Sequence, residues 1–385
     1  MKRPLVLVAI LGGVALSGVA VVWNRNRVEA EIRSMDRATL EQRIKQSPDD
    51  PEVFARLGAL LVDDNEPEAA LAPLEIAARA FPDRPEVAVD QIRALPDPNA
   101  GDAFAARWLE AHPGEANVGA ERLRIRLRTG DPDGTLAALD TLPEKEQSLA
   151  PYMALRGETL LALRRLPEAV TVLKQALALR ESSETRLLLA RSLVPLQRYG
   201  EVVTVCAPLL GAKASTESEV TRARARIYSA GSRLFGPTTV ADREEIRKTL
   251  ESVVSLGSRL ELGERFLPEW FLGECLVRAG RFADALAPLR KANTLSPEFP
   301  GAWFARARAA TAAHYDAEAK GAFRVHRELG ALLVRAENAA DRAAQAPDDP
   351  ELATARAKAV DAVANFLGNL PAVPATSPKK DKTRP

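Results

Sequence analysis

The sequence predicts an all-α protein made of stacked helical hairpins. The triplet PEV at Pro51 returns 34 residues later at Pro85, each time after a turn rich in proline and acidic residues. Aromatic residues make up only 5% of the chain, and 27 prolines punctuate apolar residues at helical rather than alternating spacing. A period of this length indicates a repeated helix-turn-helix unit.

Composition excludes several classes of protein. A chain of 385 residues is too long for one simple core unless a repeat makes it a single elongated body. Because 53 Lys and Arg residues oppose 52 Asp and Glu residues, the net charge of +1 does not favour nucleic acid as a partner. Cys206 and Cys275 stand far apart in apolar helical patterns, which predicts buried thiols rather than a disulfide or metal site.

The N-terminal segment, 1–27, is predicted to be a transmembrane anchor with basic flanks. Pro4 to Trp23 is a run of 20 residues without a charge, which as a helix would span about 30 Å. Cleavage as a signal peptide after Ala20 is the alternative, but the apolar run continues to Trp23 and favours an anchor. We therefore expect a single-pass cell-membrane protein whose soluble domain is extracytoplasmic, although the basic residues on the two flanks nearly balance.

Repeated units follow an amphipathic linker helix, 28–50. The first unit begins at Pro51 and has small or apolar residues at fixed positions: Leu57, Gly58, Ala70, Leu74, Ala77 and Pro82. The clearest copy, Phe266 to Phe299, has Leu272, Gly273, Leu276, Gly280, Phe282, Ala285, Leu289, Ala292 and Pro297. A further copy from Ala150 has Gly157, Leu160, Ala169, Leu173 and Ala176, and one from Pro300 has Trp303, Ala307, Ala319 and Phe323.

These positions resemble the signature of the tetratricopeptide repeat (TPR) family, in which Trp, Leu-Gly and Tyr precede Ala, Phe, Ala and Pro. The resemblance implies a right-handed superhelical solenoid of about eight units over 51–333, with the second, third and sixth units degenerate. About 14 surplus residues are predicted around Ser232 to Glu245. A single helix pair cannot bury its apolar face, so the units must stack.

The period lapses after Pro300. Extended and capping helices are predicted over 334–370, since Glu318 to Gln345 shows one uninterrupted helical pattern and a second apolar stripe follows it. The tail, 371–385, is rich in Pro and Lys and is predicted to be disordered.

The sequence predicts that the protein is not an enzyme and holds no cofactor or metal. His112, His314 and His326 are scattered without the spacing of metal ligands. Neither a phosphate-binding GxxxxGK[ST] loop nor a GxSxG motif occurs in the sequence.

A partner-binding groove is implied by the resemblance, because in the TPR family the first helix of each pair lines the inner face. Trp270 beside Phe304, flanked by Arg278 and Arg308, would form an aromatic and cationic patch typical of binding hot spots. In the alternative, both aromatic residues are buried between units. The complete predicted groove consists of Asn117, Arg124, Arg128, Glu158, Leu161, Leu188, Ser192, Trp270, Glu274, Val277, Arg278, Phe304 and Arg308.

The predicted function is that of a membrane-tethered protein–protein interaction scaffold, in assembly or trafficking of bacterial envelope components. Its partner would be a protein or peptide bound in the groove. Two alternatives stay open: an accessory subunit of polysaccharide or protein secretion that binds saccharide or an enzyme, and a cytoplasm-facing adaptor of a regulator or protease. The sequence specifies neither the partner nor the oligomeric state.

Overall fold

The computed structural model describes residues 27–211, 217–346 and 349–373, and all regular secondary structure within these ranges is helical. The all-α prediction is therefore confirmed for the described chain. The first half contains α1 (27–33), α2 (Arg37–Gln46), α3 (Pro51–Asp63), α4 (Pro67–Ala80), α5 (Pro85–Ala94), α6 (Pro98–Ala111), α7 (Ala116–Arg128), α8 (Pro132–Asp140), α9 (Glu144–Gln147), α10 (Ala150–Ala162) and α11 (Leu166–Leu179). The second half contains α12 (Ser183–Leu193), α13 (Tyr199–Cys206), α14 (Glu219–Arg233), α15 (Val240–Val254), α16 (Leu267–Arg278), α17 (Phe282–Leu295), α18 (Pro300–Ala312), α19 (Asp316–Gln345) and α20 (Pro350–Gly368).

The chain divides into two compact units. Unit 1 takes in Met1–Thr129 and Gly211–Glu219, and unit 2 takes in Gly130–Leu210 and Val220–Pro385. Each unit is described by itself below.

The repeated helix start has a simple local cause. Asp50 precedes the proline that opens α3, and its carboxylate accepts a hydrogen bond from the Glu52 N–H at 3.2 Å. Asp97 and Asp349 cap α6 and α20 in the same way, each before a proline in the first turn. A capping carboxylate satisfies an N–H group that the helix itself cannot, and proline at this position lacks the N–H that would be unpaired.

Three helix pairs share one close contact. In each pair, a Cβ added to a glycine of the first helix would lie 2.4 or 2.5 Å from the side chain of the leucine 16 positions later. Only glycine allows the second helix to approach this closely. The pairs are Gly58 with Leu74 in α3–α4, Gly157 with Leu173 in α10–α11, and Gly273 with Leu289 in α16–α17.

Unit 1 is a stack of helix pairs with an N-terminal cover. Helix α3 packs against α4 and α5, and α5 packs against α7. Helix α2 packs on α3. Ile32 of α1, Leu40 of α2 and Val53 of α3 form one core. The segment predicted as a single linker helix thus holds two helices, because Asp36 caps the start of α2.

Unit 2 continues the same arrangement. Successive helices pack from α10 to α13 and again from α15 to α20, and the first helices of neighbouring pairs also touch, α10 with α12 and α16 with α18. Leucines of α12 and aromatic residues of α14 and α16 form its large core. Stacking of neighbouring pairs therefore provides the burial that one hairpin lacks.

The C-terminal helices close the stack within unit 2. Apolar residues of α20 and the segment after it pack on Trp303, Ala322 and Val325. At the other end of α20, the Arg356 guanidinium pairs with both carboxylate oxygens of Asp133 in α8, at 3.0 and 2.7 Å. Helix α20 therefore contacts both the last and the first helices of unit 2.

Helix α19 departs from the repeat register. Phe323 was expected in the core beside Ala319, but the phenyl ring is 40% exposed, whereas Ala322, Val325 and Leu329 are fully buried. The reason is that α19 must face both α18 and α20, so a different stripe of the helix is turned inward.

The predicted transmembrane segment, 1–27, lies almost entirely outside the described residues, as does the tail from 374 onward. Among the residues that the structure describes, none of the helices combines the length and the apolar run needed to cross a bilayer. This finding contradicts the prediction of a single-pass cell-membrane protein with an extracytoplasmic domain, and the membrane is not retained as a partner.

Candidate functional site

Helix α16 carries the aromatic residue predicted at the centre of the groove. Trp270 is only 5% exposed, and its ring packs 4.5 Å from that of Phe271 and 4.7 Å from that of Phe299. Phe235 and Phe266 lie slightly farther away, at 6.0 and 6.4 Å. The alternative prediction, burial between helix pairs, thus holds for Trp270, and its ring is not exposed to a partner.

One turn after Trp270, Glu274 places a buried carboxylate between two arginines. Glu274 is 4% exposed, and one carboxylate oxygen lies 3.7 Å from a guanidinium nitrogen of Arg308. Burial raises the pKa of Glu274, and the positive charges of Arg308 and Arg278 oppose this rise. Because 3.7 Å is too long for a hydrogen bond, Arg308 keeps donor capacity for another group.

The Phe304 patch is an exposed cluster on α18 and α19 formed by Phe304, Arg308, Phe323 and His326. The Phe304 ring lies 6.1 Å from Phe323 in an edge-on arrangement and 5.0 Å from His326. The Arg308 guanidinium sits 5.7 Å from the Phe304 ring centroid. Both phenylalanines are 40% exposed, and Arg308 is 41% exposed, so solvent reaches aromatic and cationic groups side by side.

Other predicted groove residues of unit 2 are less accessible. Leu188, Ser192 and Val277 are buried, and the Ser192 hydroxyl donates to the Leu188 carbonyl at 2.9 Å. Arg191, the neighbour of Ser192 on α12, is half-buried and pairs with Glu261 at 3.1 Å. Glu158 and Leu161 of α10 are half-buried.

The segment between α15 and α16 contains two short 3-10 turns, Gly257–Arg259 and Leu262–Glu264, in an otherwise irregular stretch, and it contacts α12 and α14. Glu264 of this segment is 1% exposed and accepts hydrogen bonds from Arg224 at 3.0 Å and from the Tyr228 hydroxyl at 2.6 Å. Glu261 pairs with Arg191 at 3.1 Å. Burial alone would raise the pKa of Glu264, but Arg224 outweighs it and the pKa is lowered. These arginines are therefore engaged within the unit.

In unit 1, the predicted groove residues belong to α7. Arg124 and Arg128 surround Glu121, at 2.5 and 3.7 Å, and Arg93 of α5 donates to the same carboxylate at 3.0 Å. Burial would raise the pKa of Glu121, yet the three guanidinium groups bring it down to about 2. Asn117 donates its side-chain amide to Glu115 at 2.6 Å.

Of the predicted residues, Arg308 of α18 lies beside both Glu274 of α16 and the Phe304 ring, whereas Arg278 of α16 lies over the ring of Phe235. Sequence reasoning did not include Phe323 or His326 in the groove, since it assigned Phe323 to a repeat position and took His326 as one of three scattered histidines. The available signal was the loss of the 34-residue period in α19, since a helix that must pack against a capping helix can expose a former core position.

Comparison with known proteins gives structural likeness only. No family model matches the chain, and no curated relative matches it. The described helices have a TPR-like fold, as the three equivalent glycine–leucine contacts indicate.

Solved structures with similar helical repeats include a human IFIT1 dimer with m7Gppp-AAAA, which is 17% identical over 68% of this chain and 67% of that chain, with a TM-score of 0.39. The APC/C hetero-tetramer Cut9–Hcn1 is 12% identical over 77% of this chain and 59% of that chain, with a TM-score of 0.39. A Rap protein complexed with competence and sporulation factor is 11% identical over 83% and 98% of the two chains, with a TM-score of 0.40.

Proposed function

We propose that the protein is a protein-interaction scaffold and that the Phe304 patch binds an acidic peptide segment of a partner protein. The observation that carries this proposal is the exposure of Phe304 and Phe323 side by side, each at 40%. Trp270, Phe271 and Tyr228 of the same unit are buried. The proposed role is binding rather than catalysis.

Exposed paired aromatic rings gain free energy when a partner covers them. Burying apolar surface contributes favourably to binding, and aromatic residues and arginine are enriched in protein interfaces. The His326 Nδ1 lies 3.1 Å from the Pro300 carbonyl oxygen, a contact that fixes the orientation of this ring beside Phe304.

The charge around the patch favours an acidic partner. Arg308 contacts Glu274 only at 3.7 Å, and Arg278 is exposed one turn farther along α16. Lys320 and Arg327 are exposed on α19, on either side of Phe323 in the sequence. A partner with glutamate or aspartate beside an apolar residue would pair with these cations and cover the rings at the same time.

A random-peptide library panned against the purified full chain tests this function. The expected result is selection of acidic peptides with an aromatic or large aliphatic residue. Replacing Phe304 with serine should weaken a selected peptide by about tenfold or more. Replacing Leu179, which is 62% exposed on α11 of the same unit, with serine is the matched control and should leave affinity unchanged.

Two outcomes would overturn the proposal. One is selection of peptides that bind wild type and Phe304→Ser equally well. The other is selection without any acidic bias. Assignment of the partner to bacterial envelope assembly stays a prediction from the sequence.

A further inference from the structure

A second recess in unit 2 lies apart from the Phe304 patch. A cleft of about 440 Å3 opens between the first turn of α13 and the loop that joins α14 to α15. The lining includes Tyr199, Gly200 and Val203 of α13, Ser232 of α14 and Phe235 of the loop. This volume suits one or two amino-acid-sized groups rather than a folded partner.

One part of the cleft is apolar. The Tyr199 and Phe235 rings stack at 4.1 Å with an angle of 11° between their planes, and Val203 lies one turn farther along α13. On Phe235, the Arg278 guanidinium lies 5.1 Å from the ring centroid. The stacked rings and Val203 therefore form a fixed wall for an aliphatic group.

A buried hydroxyl in the lining has no partner. Ser232 is 2% exposed, and its Oγ makes no hydrogen bond in the part of the chain that the structure describes. A buried hydroxyl without a hydrogen bond is unfavourable, so a hydrogen bond from Ser232 to a ligand atom would contribute to binding.

The first turn of α13 adds backbone donors. The residue before this helix, Arg198, provides no side-chain cap, and its guanidinium instead donates to Glu201 at 2.5 Å. The first N–H groups of a helix lack intrahelical acceptors and carry partial positive charge. At Gly200, an added Cβ would meet no atom within 4 Å, so the backbone of this turn is open to the cleft.

The charged side chains of the cleft are already engaged. Arg233 lies 3.2 Å from Glu245 and 3.8 Å from Asp242. Asp242 accepts from the N–H and hydroxyl of Thr239, at 2.8 and 2.7 Å, in the cap of α15. Glu201 and Val202 donate their N–H groups to the Arg198 carbonyl, so the Ser232 hydroxyl and the N–H groups of Tyr199 and Gly200 remain as donors beside an apolar wall.

We propose that this cleft binds a carboxylate attached to an aliphatic side chain. The carboxylate accepts from the first turn of α13 and from Ser232, while the side chain packs against Tyr199, Phe235 and Val203. Two sources carry this chemistry: a free small acid and the C-terminal residue of a peptide. The inference rests on different residues from those of the Phe304 patch.

Calorimetric titration of the full chain with three probes tests the proposal. The probes are N-acetyl-leucine, N-acetyl-leucinamide and a neutral peptide ending in leucine with a free carboxylate. At least one acid should bind, and the amide should bind about tenfold or more weakly, because it lacks the charge that the helix start favours. Binding of N-acetyl-leucine alone would assign a free small acid, binding of the peptide alone would assign a C-terminus, and equal binding of the two acids would show that the terminal leucine carries the affinity.

Matched variants locate the binding. Gly200→Leu should abolish it by filling the cleft, whereas Gly330→Leu in α19, where an added Cβ also meets no atom within 4 Å, should leave it unchanged. Ser232→Ala should weaken the acids about threefold to tenfold. Absence of binding by both acids at millimolar concentration, equal binding of acid and amide, or equal loss in the two leucine variants would each overturn the proposal.

Discussion

Glycine at the crossing point of a helix pair is the residue on which each repeated hairpin depends. Gly58, Gly157 and Gly273 all admit a leucine that an added Cβ would meet at 2.4 or 2.5 Å. The same spacing in three pairs shows that one packing arrangement recurs. Replacing either the glycine or the leucine with a larger residue would displace a helix.

Replacing Gly273 with alanine should therefore destabilise the protein. The new methyl group would overlap Leu289 in a buried contact, and overpacking of this kind costs about 1–3 kcal/mol. Gly330→Ala is the control, since its Cβ enters open space and alanine is favoured over glycine in a helix by about 0.5–1 kcal/mol. Urea unfolding at neutral pH compares the two, and equal midpoints would contradict the packing described for α16 and α17.

A buried ion-pair cluster around Glu318 holds several helices of unit 2 together. Glu318 is fully buried and accepts from Arg290 at 2.9 and 2.6 Å and from Arg306 at 2.8 Å. Burial would raise the pKa of Glu318, but hydrogen bonds from the two guanidinium groups lower it. Three helices, α17, α18 and α19, thus meet at one carboxylate.

The lowered pKa predicts acid sensitivity that depends on Glu318. Because the unfolded chain takes up this proton at higher pH than the folded chain, the stabilisation is present above the unfolded pKa of about 4 and is lost as the pH falls through the folded value. Glu318→Gln should cost about 3–5 kcal/mol at neutral pH and show a shallower acid decline. Glu244→Gln, at an exposed pair with Arg247, is the control, and parallel pH profiles for all three proteins would refute the assignment.

At the scale of elements, the segment between α15 and α16 is irregular yet firmly held. Its Glu264 meets Arg224 and Tyr228 of α14, and its Glu261 meets Arg191 of α12. The segment therefore covers part of the face that the TPR resemblance assigned to a partner.

Loss of the Glu264 charge should release this segment. In Glu264→Gln the buried Arg224 guanidinium would lose its nearer counter-charge and keep only Glu261 at 3.5 Å, so local opening becomes easier. Limited trypsin digestion should then cut after Arg259 or Arg265 about tenfold faster than in the wild type. Glu245→Gln provides an exposed comparison, and unchanged cleavage in Glu264→Gln would show that other contacts hold the segment.

The sequence predicted these elements unevenly. Local signals, such as Pro51 after Asp50 and the 16-residue glycine–leucine spacing, located several helix pairs because their causes lie within one hairpin. The packing of Glu264 could not be read in the same way, since its partners lie 36 and 40 positions away. Sequence reasoning placed the surplus residues around Ser232 to Glu245, although part of that stretch starts α15.

The candidate site was also only partly predictable from the sequence. The TPR resemblance assigned Glu274, Arg278, Phe304 and Arg308 to one groove, and in the structure Arg308 lies 3.7 Å from Glu274 and beside the Phe304 ring. The resemblance could not reveal that Trp270 is buried by Phe299 and Phe271, because the depth of a side chain depends on residues from other helices. Exposure of Phe323 likewise follows from the contact between α19 and α20.

At the scale of the whole molecule, stability should be distributed over neighbouring helix pairs. In a stack of repeats each pair depends chiefly on its neighbours, so damage stays local. Gly58→Leu would force a side chain into Leu74 within unit 1. Hydrogen exchange should show lost protection in α3 and α4, with α16 and α17 of unit 2 unchanged, whereas a uniform loss would indicate a single cooperative body.

Reversal of one charge tests the proposed interaction most directly. Two peptides are compared: one selected by the wild-type chain, and its counterpart with lysine in place of each acidic residue. Each is titrated into wild type, into Arg308→Glu and into the control Arg342→Glu. Arg342 is exposed in the last turn of α19. Wild type and the control should prefer the acidic peptide, and Arg308→Glu should lose that preference by about tenfold or more. An unchanged preference in Arg308→Glu would contradict binding of an acidic partner at the Phe304 patch.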